Sequence, residues 1–155
     1  MGWLFVGDVM DSELILNKYL KQAVKSSTEE VAEYARTHHG FTARTGNLER
    51  AIIGKISSDG MRGFVTIDRT QAPYGVYVHQ GYKAYDIVPR SKKVLRWVGV
   101  TQDGKRGFVF AKRVHHPAYK GDPFLFNALD ARTSYITNIF NNRVEAALKE
   151  IAGGL

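Results

Sequence analysis

The stretch from Tyr74 to Phe126 constrains this chain most. Every apolar piece in it is short and runs into a breaker. Tyr74-Gly75-Val76-Tyr77-Val78-His79-Gln80 is closed by Gly81, and Ile87-Val88 is ended by Pro89. Val94-Leu95-Arg96-Trp97-Val98 and Gly107-Phe108-Val109-Phe110-Ala111 are rich in β-branched and aromatic residues and read as two strands. Between them lies Thr101-Gln102-Asp103-Gly104, carrying the Asp-Gly pair that tight hairpins favour. His115-His116-Pro117 and Asp122-Pro123-Phe124-Leu125-Phe126 close the stretch. Gly81 sits where the chain must turn sharply towards Ile87, which predicts a positive φ there.

Helical periodicity flanks this region. From about Asp11 to Arg36, Leu16, Leu20, Ala23, Val24, Val31, Tyr34 and Ala35 recur at three- and four-residue steps. The expectation is one long helix, capped by Asp11 and stopped at His38-His39-Gly40, with Gly40 as a left-handed stop. Ser27-Thr28-Glu29-Glu30 has the form of a capping box. It marks either a second start or a bend in one long helix, with those side chains in water. Thr45-Gly46 is read as a turn into a short helical turn. A hairpin follows: Ile52–Ser57, a turn at Ser58-Asp59-Gly60, then Met61–Asp68 with Phe64 and Ile67. After Gln71-Ala72-Pro73, Tyr74–His79 is expected as a short helix. At the far end Asp122 is placed as N-cap and Pro123 as first helical residue. Leu125, Ala128, Leu129, Ile136, Ile139, Phe140, Val144, Ala147, Leu148 and Ile151 then keep helical spacing until Gly153-Gly154. The expected fold is α+β: a long N-terminal helix, an antiparallel sheet built from two hairpins, and a long C-terminal helix packed on that sheet.

At 155 residues the chain, 1–155, reads as a single domain. It has no cysteine, which removes disulfides and cysteine metal sites. No apolar run approaches the roughly 20 residues that span a bilayer. Met1 to Asp8 has no basic flank and only a brief apolar core, so it does not read as a secretory signal. The expectation is a protein made in the cytosol.

Charge is the sharpest compositional signal. The chain nets +7. Between Arg90 and Arg113 lie eight basic residues, Arg90, Lys92, Lys93, Arg96, Lys105, Arg106, Lys112 and Arg113, against the single acid Asp103. Outside that stretch the charges balance. The positive charge is thus one local feature on and beside the hairpin, and it points to an acidic partner, protein or nucleic acid. These eight residues form the candidate interface.

Signals for chemistry are thin. His115 and His116 could join His79 at a metal, but adjacent strand residues face opposite ways, so only one could reach a given site. No metalloprotease helix motif, phosphate loop or nucleophile elbow accompanies them. No catalytic residue, cofactor or metal is expected. Tyr74, Tyr77, Tyr82, Tyr85, Trp97, Phe108 and Phe110 could stack bases beside the basic patch. The simpler expectation is that they pack the sheet and hairpin.

The ordered segments resemble the head–tail joining, or tail-completion, family of tailed-phage neck proteins. The matching pieces are Thr45-Gly46-Asn47-Leu48 with Ile52, Tyr74 to Gly81, Ile87-Val88-Pro89 and Val94-Leu95-Arg96-Trp97. They continue with Phe110-Ala111-Lys112-Arg113-Val114, His116-Pro117 and Pro123-Phe124-Leu125, so the likeness covers about Arg36 to Leu129. Ala118 stands where that family commonly has glycine. The resemblance implies a small α+β structural subunit of the virion neck, without catalysis. Such subunits form homo-oligomeric rings, commonly hexameric, between the head's portal, adaptor or head-closure proteins and the tail terminator or tube. Genomic DNA passes through the bore, and no membrane is involved. A strongly basic bore would hold phosphates, so the patch is expected to face protein neighbours at least in part. The alternative from the residues alone is a nucleic-acid-binding module using the 90–113 hairpin, and a metal-dependent hydrolase at the histidines is a third.

Overall fold

The computed structural model describes residues 5–153, with side chains from residue 11 onward. Met1 to Leu4 of the segment read as lacking a signal, and Gly154 of the expected helix stop, lie outside the described residues. The elements in order are α1 (Phe5–Thr37), α2 (Asn47–Ala51), β1 (Ile52–Ile56), β2 (Gly63–Ile67) and α3 (Gly75–Gln80). They continue with β3 (Tyr85–Ile87), β4 (Leu95–Val100), β5 (Arg106–Ala111), β6 (Val114–His116) and α4 (Phe124–Gly153). The fold is α+β, with a long helix at each end and antiparallel hairpins between.

The strands form three separate two-stranded ladders, β1–β2, β3–β6 and β4–β5, where one sheet was expected. Nor does α4 lie on a sheet: it packs chiefly on α1, and α1 is the helix that packs on β1 and β2. The two long helices run antiparallel. Lys18 Nζ and Tyr19 Oη donate to Glu150 at 2.9 and 2.6 Å, Arg143 donates to Gln22 at 3.1 Å, and Arg132 Nε donates to Glu30 at 2.7 Å.

Contacts divide the chain into two compact units, one up to His79 and from Asp122 onward, the other Gln80–Gly121. The first has a core: Val31, Ala32 and Ala35 from α1, Leu48 and Ala51 from α2, Ile52 and Ile67 from the hairpin, Ala72, and Phe124 and Ala128 from α4. Phe124 and Ile52 are fully buried, each worth roughly 1.5–3 kcal/mol of apolar transfer. Arg36 ties the end of α1 to the hairpin by donating through Nε and Nη2 to the Ile52 carbonyl at 2.9 and 2.8 Å.

Several local expectations change. Asp11 lies inside α1, not at its start, because nothing before it breaks the helix. Ser27 and Thr28 are buried rather than in water. Thr28 donates back to the Val24 carbonyl at 2.7 Å, the bond that lets a threonine sit inside a helix. Its side chain is the knob on which the first hairpin rests. A Cβ at Gly54 would stand 3.0 Å from Thr28 Cγ2, and one at Gly63 would overlap the Thr28 hydroxyl. Gly40 is not left-handed. Its amide and that of Phe41 donate to the Asp122 carboxylate at 2.6 and 3.0 Å, so Asp122 closes the end of α1 across the fold instead of capping α4. Gly81 does take a positive φ, 78°, as predicted.

Candidate functional site

The candidate interface is the β4–β5 ribbon and the segment leading into it, all within Gln80–Gly121. Its register sets the faces. Arg96 is opposite Phe110, Val98 opposite Phe108 and Val100 opposite Arg106, so these six side chains share one face. Leu95, Trp97 and Gly99 share the other with Ala111, Val109 and Gly107. The first face is open: Val98 is 57% exposed, Val100 72%, Phe108 55% and Phe110 59%. The Arg96 guanidinium lies 4.6 Å from the centre of the Phe108 ring, an arrangement worth roughly 0.5–1 kcal/mol at an exposed site. Phe108 and Phe110 therefore do not supply the hairpin packing expected of them. A two-stranded ribbon has two faces, and here both carry apolar side chains: Val98, Val100, Phe108 and Phe110 on one, Leu95, Trp97 and Val109 on the other. That double apolar pattern in Val94–Val98 and Phe108–Phe110 was the available signal.

The tip is held by its own chemistry. Thr101 N–H donates to the Lys105 carbonyl at 2.9 Å, and Gly104 takes φ 77°. Thr101 Oγ1 also bonds the Asp103 carboxylate, which holds that carboxyl below its ordinary value. The tip thus presents Lys105 and Arg106 from a fixed turn.

All eight basic residues are exposed. Arg90, Lys92, Lys93 and Arg96 line a cleft of about 530 Å³ with Pro89 and Phe110. Arg106 joins Arg96 on the open face, and Lys105 stands beside it at the tip. Arg113 instead pairs with Asp86 at 3.5 Å. The other seven form no ion pair among the described residues. The structure brings four of the eight into one cleft and two to the tip; Lys112 joins neither group.

The histidines do not converge. In the β3–β6 ladder His115 is opposite Asp86 and bonds it at 2.9 Å, while His116 stacks on Tyr85 with ring centres 5.0 Å apart. Tyr82, Tyr85, His116 and Tyr119 form a ring cluster, and Tyr82 and Tyr119 exchange backbone hydrogen bonds. His79 belongs to the first unit, edge-on to Phe124. Among the described residues no group of three or more histidine or acidic side chains is placed to hold a metal, and no helix is long and apolar enough to cross a membrane. Comparison of the chain with family models, curated proteins and solved structures gave no match in any of the three.

Proposed function

We propose that this chain is a structural subunit of a tailed-phage neck, non-enzymatic, assembling with its own copies into a ring that joins the head's portal complex to the tail and lets DNA pass. The order of segments from Thr45 to Leu125 suggests the family. The observation that carries the assembly role is the open ribbon face, where Val98, Val100, Phe108 and Phe110 lie between Arg96 and Arg106. Apolar and aromatic side chains beside arginine are the composition of an interface centre. Both ribbon strands also have a free edge on which a neighbour's strand can pair. A closed ring repeats one contact at every interface, so modest contacts add up.

The test is charge reversal at the tip. Lys105→Glu with Arg106→Glu should leave the monomer folded, since neither side chain forms an ion pair among the described residues, and should weaken incorporation into particles. Infectious particles at normal yield from this double variant would remove the tip from the assembly contact. A phosphatase, nuclease or peptidase activity abolished by His116→Ala, with the fold intact, would overturn the non-enzymatic reading.

The cleft of Arg90, Lys92, Lys93 and Arg96 favours a second reading, a nucleic-acid-binding module. Duplex binding that falls steeply with salt, each neutralised phosphate adding roughly 0.9 to the log–log slope, would support the module. Weak binding with a shallow slope supports the joint protein.

A further inference from the structure

The first unit contains an apolar groove of about 470 Å³ between α1, β2, the end of α3 and α4. Met61, Gly63 and Val65 form its wall on the β2 side, and Phe126 and Leu129 stand exposed on its α4 rim. That wall is also a strand edge. Ser57 N–H donates to the Arg62 carbonyl at 2.9 Å and Asp68 N–H to the Ala51 carbonyl at 2.7 Å, which marks the hydrogen-bonded pairs of the β1–β2 ladder. Such pairs alternate along an antiparallel ladder, so the amides and carbonyls of Gly63 and Val65 point away from β1. β2 is an edge strand, and no backbone hydrogen bond among the described residues reaches its outer side at these two positions. The residues with free backbone groups are thus the ones that line the groove.

The ribbon has the matching parity. Thr101 N–H donates to the Lys105 carbonyl, so Gly99–Gly107 and Trp97–Val109 are the hydrogen-bonded pairs of the β4–β5 ladder. The outward backbone groups of β5 therefore belong to Phe108 and Phe110, the two exposed aromatics of the open face. Directly opposite residues of an antiparallel pair put their side chains on the same face. With the other parity, β5 would offer Gly107 and Val109 instead.

We propose that β5 of a second copy adds antiparallel to the outer edge of β2, with Phe108 opposite Val65 and Phe110 opposite Gly63, so that both phenyl groups enter the groove. This rests on the ring proposed above and names its acceptor surface. Gly63 has no side chain, which leaves room for Phe110 beside it. The charges fit the same register. Lys105 falls opposite Asp68, and Lys112 opposite Met61, whose amide donates to the Asp59 carboxylate at 3.0 Å. Hydrogen bonds from Thr70 to Asp68 and from Ser57 to Asp59 hold both carboxyls below their ordinary value, so both are charged. Neither forms an ion pair among the described residues. Arg62, close to Asp59, alternates with Gly63 onto the face of β2 away from the groove. In strand addition main-chain bonds give affinity and side-chain pockets give specificity. The donor strand and the acceptor edge are different surfaces, so the contact is head-to-tail, the kind that generates rings.

The chain has no cysteine, so single-cysteine variants report the contact directly. In this register Phe64 and Val109 form a non-hydrogen-bonded pair with Cα atoms roughly 4.5 Å apart, a separation that a disulfide bridges. Both side chains point away from the groove, so replacing them leaves the docking contacts in place. Full-length Phe64→Cys and Val109→Cys chains are incorporated together into particles and oxidised. A disulfide-linked dimer is expected only when both variants are present. Val98→Cys, on β4, should not link to Phe64→Cys; linkage as complete as that of Val109→Cys would overturn the register. Particles that contain both chains and yield no mixed disulfide overturn the docking and leave the neck reading standing. Particles that lack the chain overturn both. Val109→Cys linking to itself would show ribbon paired with ribbon. An intrachain disulfide in the monomeric Phe64→Cys/Val109→Cys double variant would show the groove filled by its own ribbon. Either result would overturn docking by a second copy.

Discussion

The two compact units are built on opposite terms. All the buried side chains belong to the first, from Ala23 on α1 to Ala147 on α4, with Phe124 and Ile52 at the centre. No residue of Gln80–Gly121 is buried. The charges divide the same way. The second unit carries ten basic and two acidic residues, whereas the rest of the chain has twelve basic and thirteen acidic. The first unit is held by apolar burial around an alanine-lined seam. The second is ordered by ladder hydrogen bonds, tight glycine turns and the Tyr82–Tyr85–His116 ring cluster. What this teaches is that apolar content and burial are separate properties: Trp97, Val98, Val100, Phe108 and Phe110 are as apolar as any core and stay exposed.

The widest test of that contrast is a pair of matched truncations. Phe124→Ala should cost about 3–5 kcal/mol, as expected for a fully buried phenylalanine. Phe108→Ala should cost at most about 1 kcal/mol, the loss of its contact with Arg96, and instead impair assembly. Denaturant midpoints of the two variants decide this; similar losses would erase the distinction.

Gly81→Val comes next and acts on the second unit alone. It adds the left-handed penalty at φ 78° to a clash with backbone, a Cβ there standing 2.5 Å from the Lys120 carbonyl carbon. About 3 kcal/mol is expected from the two together. Because Gln80–Gly121 has no core to compensate, amide spectra should show disorder of that unit with Ala23 and Phe124 unchanged. Equal losses in both units would show that they fold as one.

Gly63→Ala tests the contact of the first hairpin with Thr28 of α1. The new methyl group overlaps the Thr28 hydroxyl, for about 2 kcal/mol of overpacking. Combining it with Thr28→Ala should recover most of that, and a strictly additive double variant would contradict the Thr28 contact.

The smallest expected effect is a pH dependence. His79 has a depressed pKa in the folded protein, from burial, so the unfolded chain binds its proton more readily. Stability should therefore rise with pH through the window below the ordinary histidine value of about 6.5. Asp59, Asp68, Asp103 and Glu150, whose carboxyls are also lowered by their hydrogen bonds, act at more acidic pH. His79→Leu should flatten the slope between pH 5 and pH 6.5, read from melting midpoints; an unchanged slope would assign it elsewhere.

Local signals were legible where local chemistry decides. Asp103-Gly104 gave the ribbon turn, the 3.6-residue spacing gave α4, and the position of Gly81 gave its φ. What was not legible depends on distant partners. Ser27-Thr28-Glu29-Glu30 has the letters of a capping box, and only the approach of Gly54 and Gly63 makes Thr28 a buried knob. Asp122 has the place of an N-cap, and only the fold brings Gly40 and Phe41 to its carboxylate. The β3–β6 pairing joins strands too short to announce themselves. At the site, the eight basic residues were plain from the sequence, but their division between cleft, tip and the Asp86 pair was not.

The central claim is that the ribbon's open face is covered by a neighbour in the assembled state. Amide hydrogen exchange of the isolated chain and of the same chain in assembled particles tests it most directly. Ribbon amides from Leu95 to Ala111 should exchange quickly in the isolated protein and slow at least tenfold on assembly, while those of α1 around Val31 to Ala35 stay slow in both. Ribbon amides that exchange at the same rate in both states would contradict it.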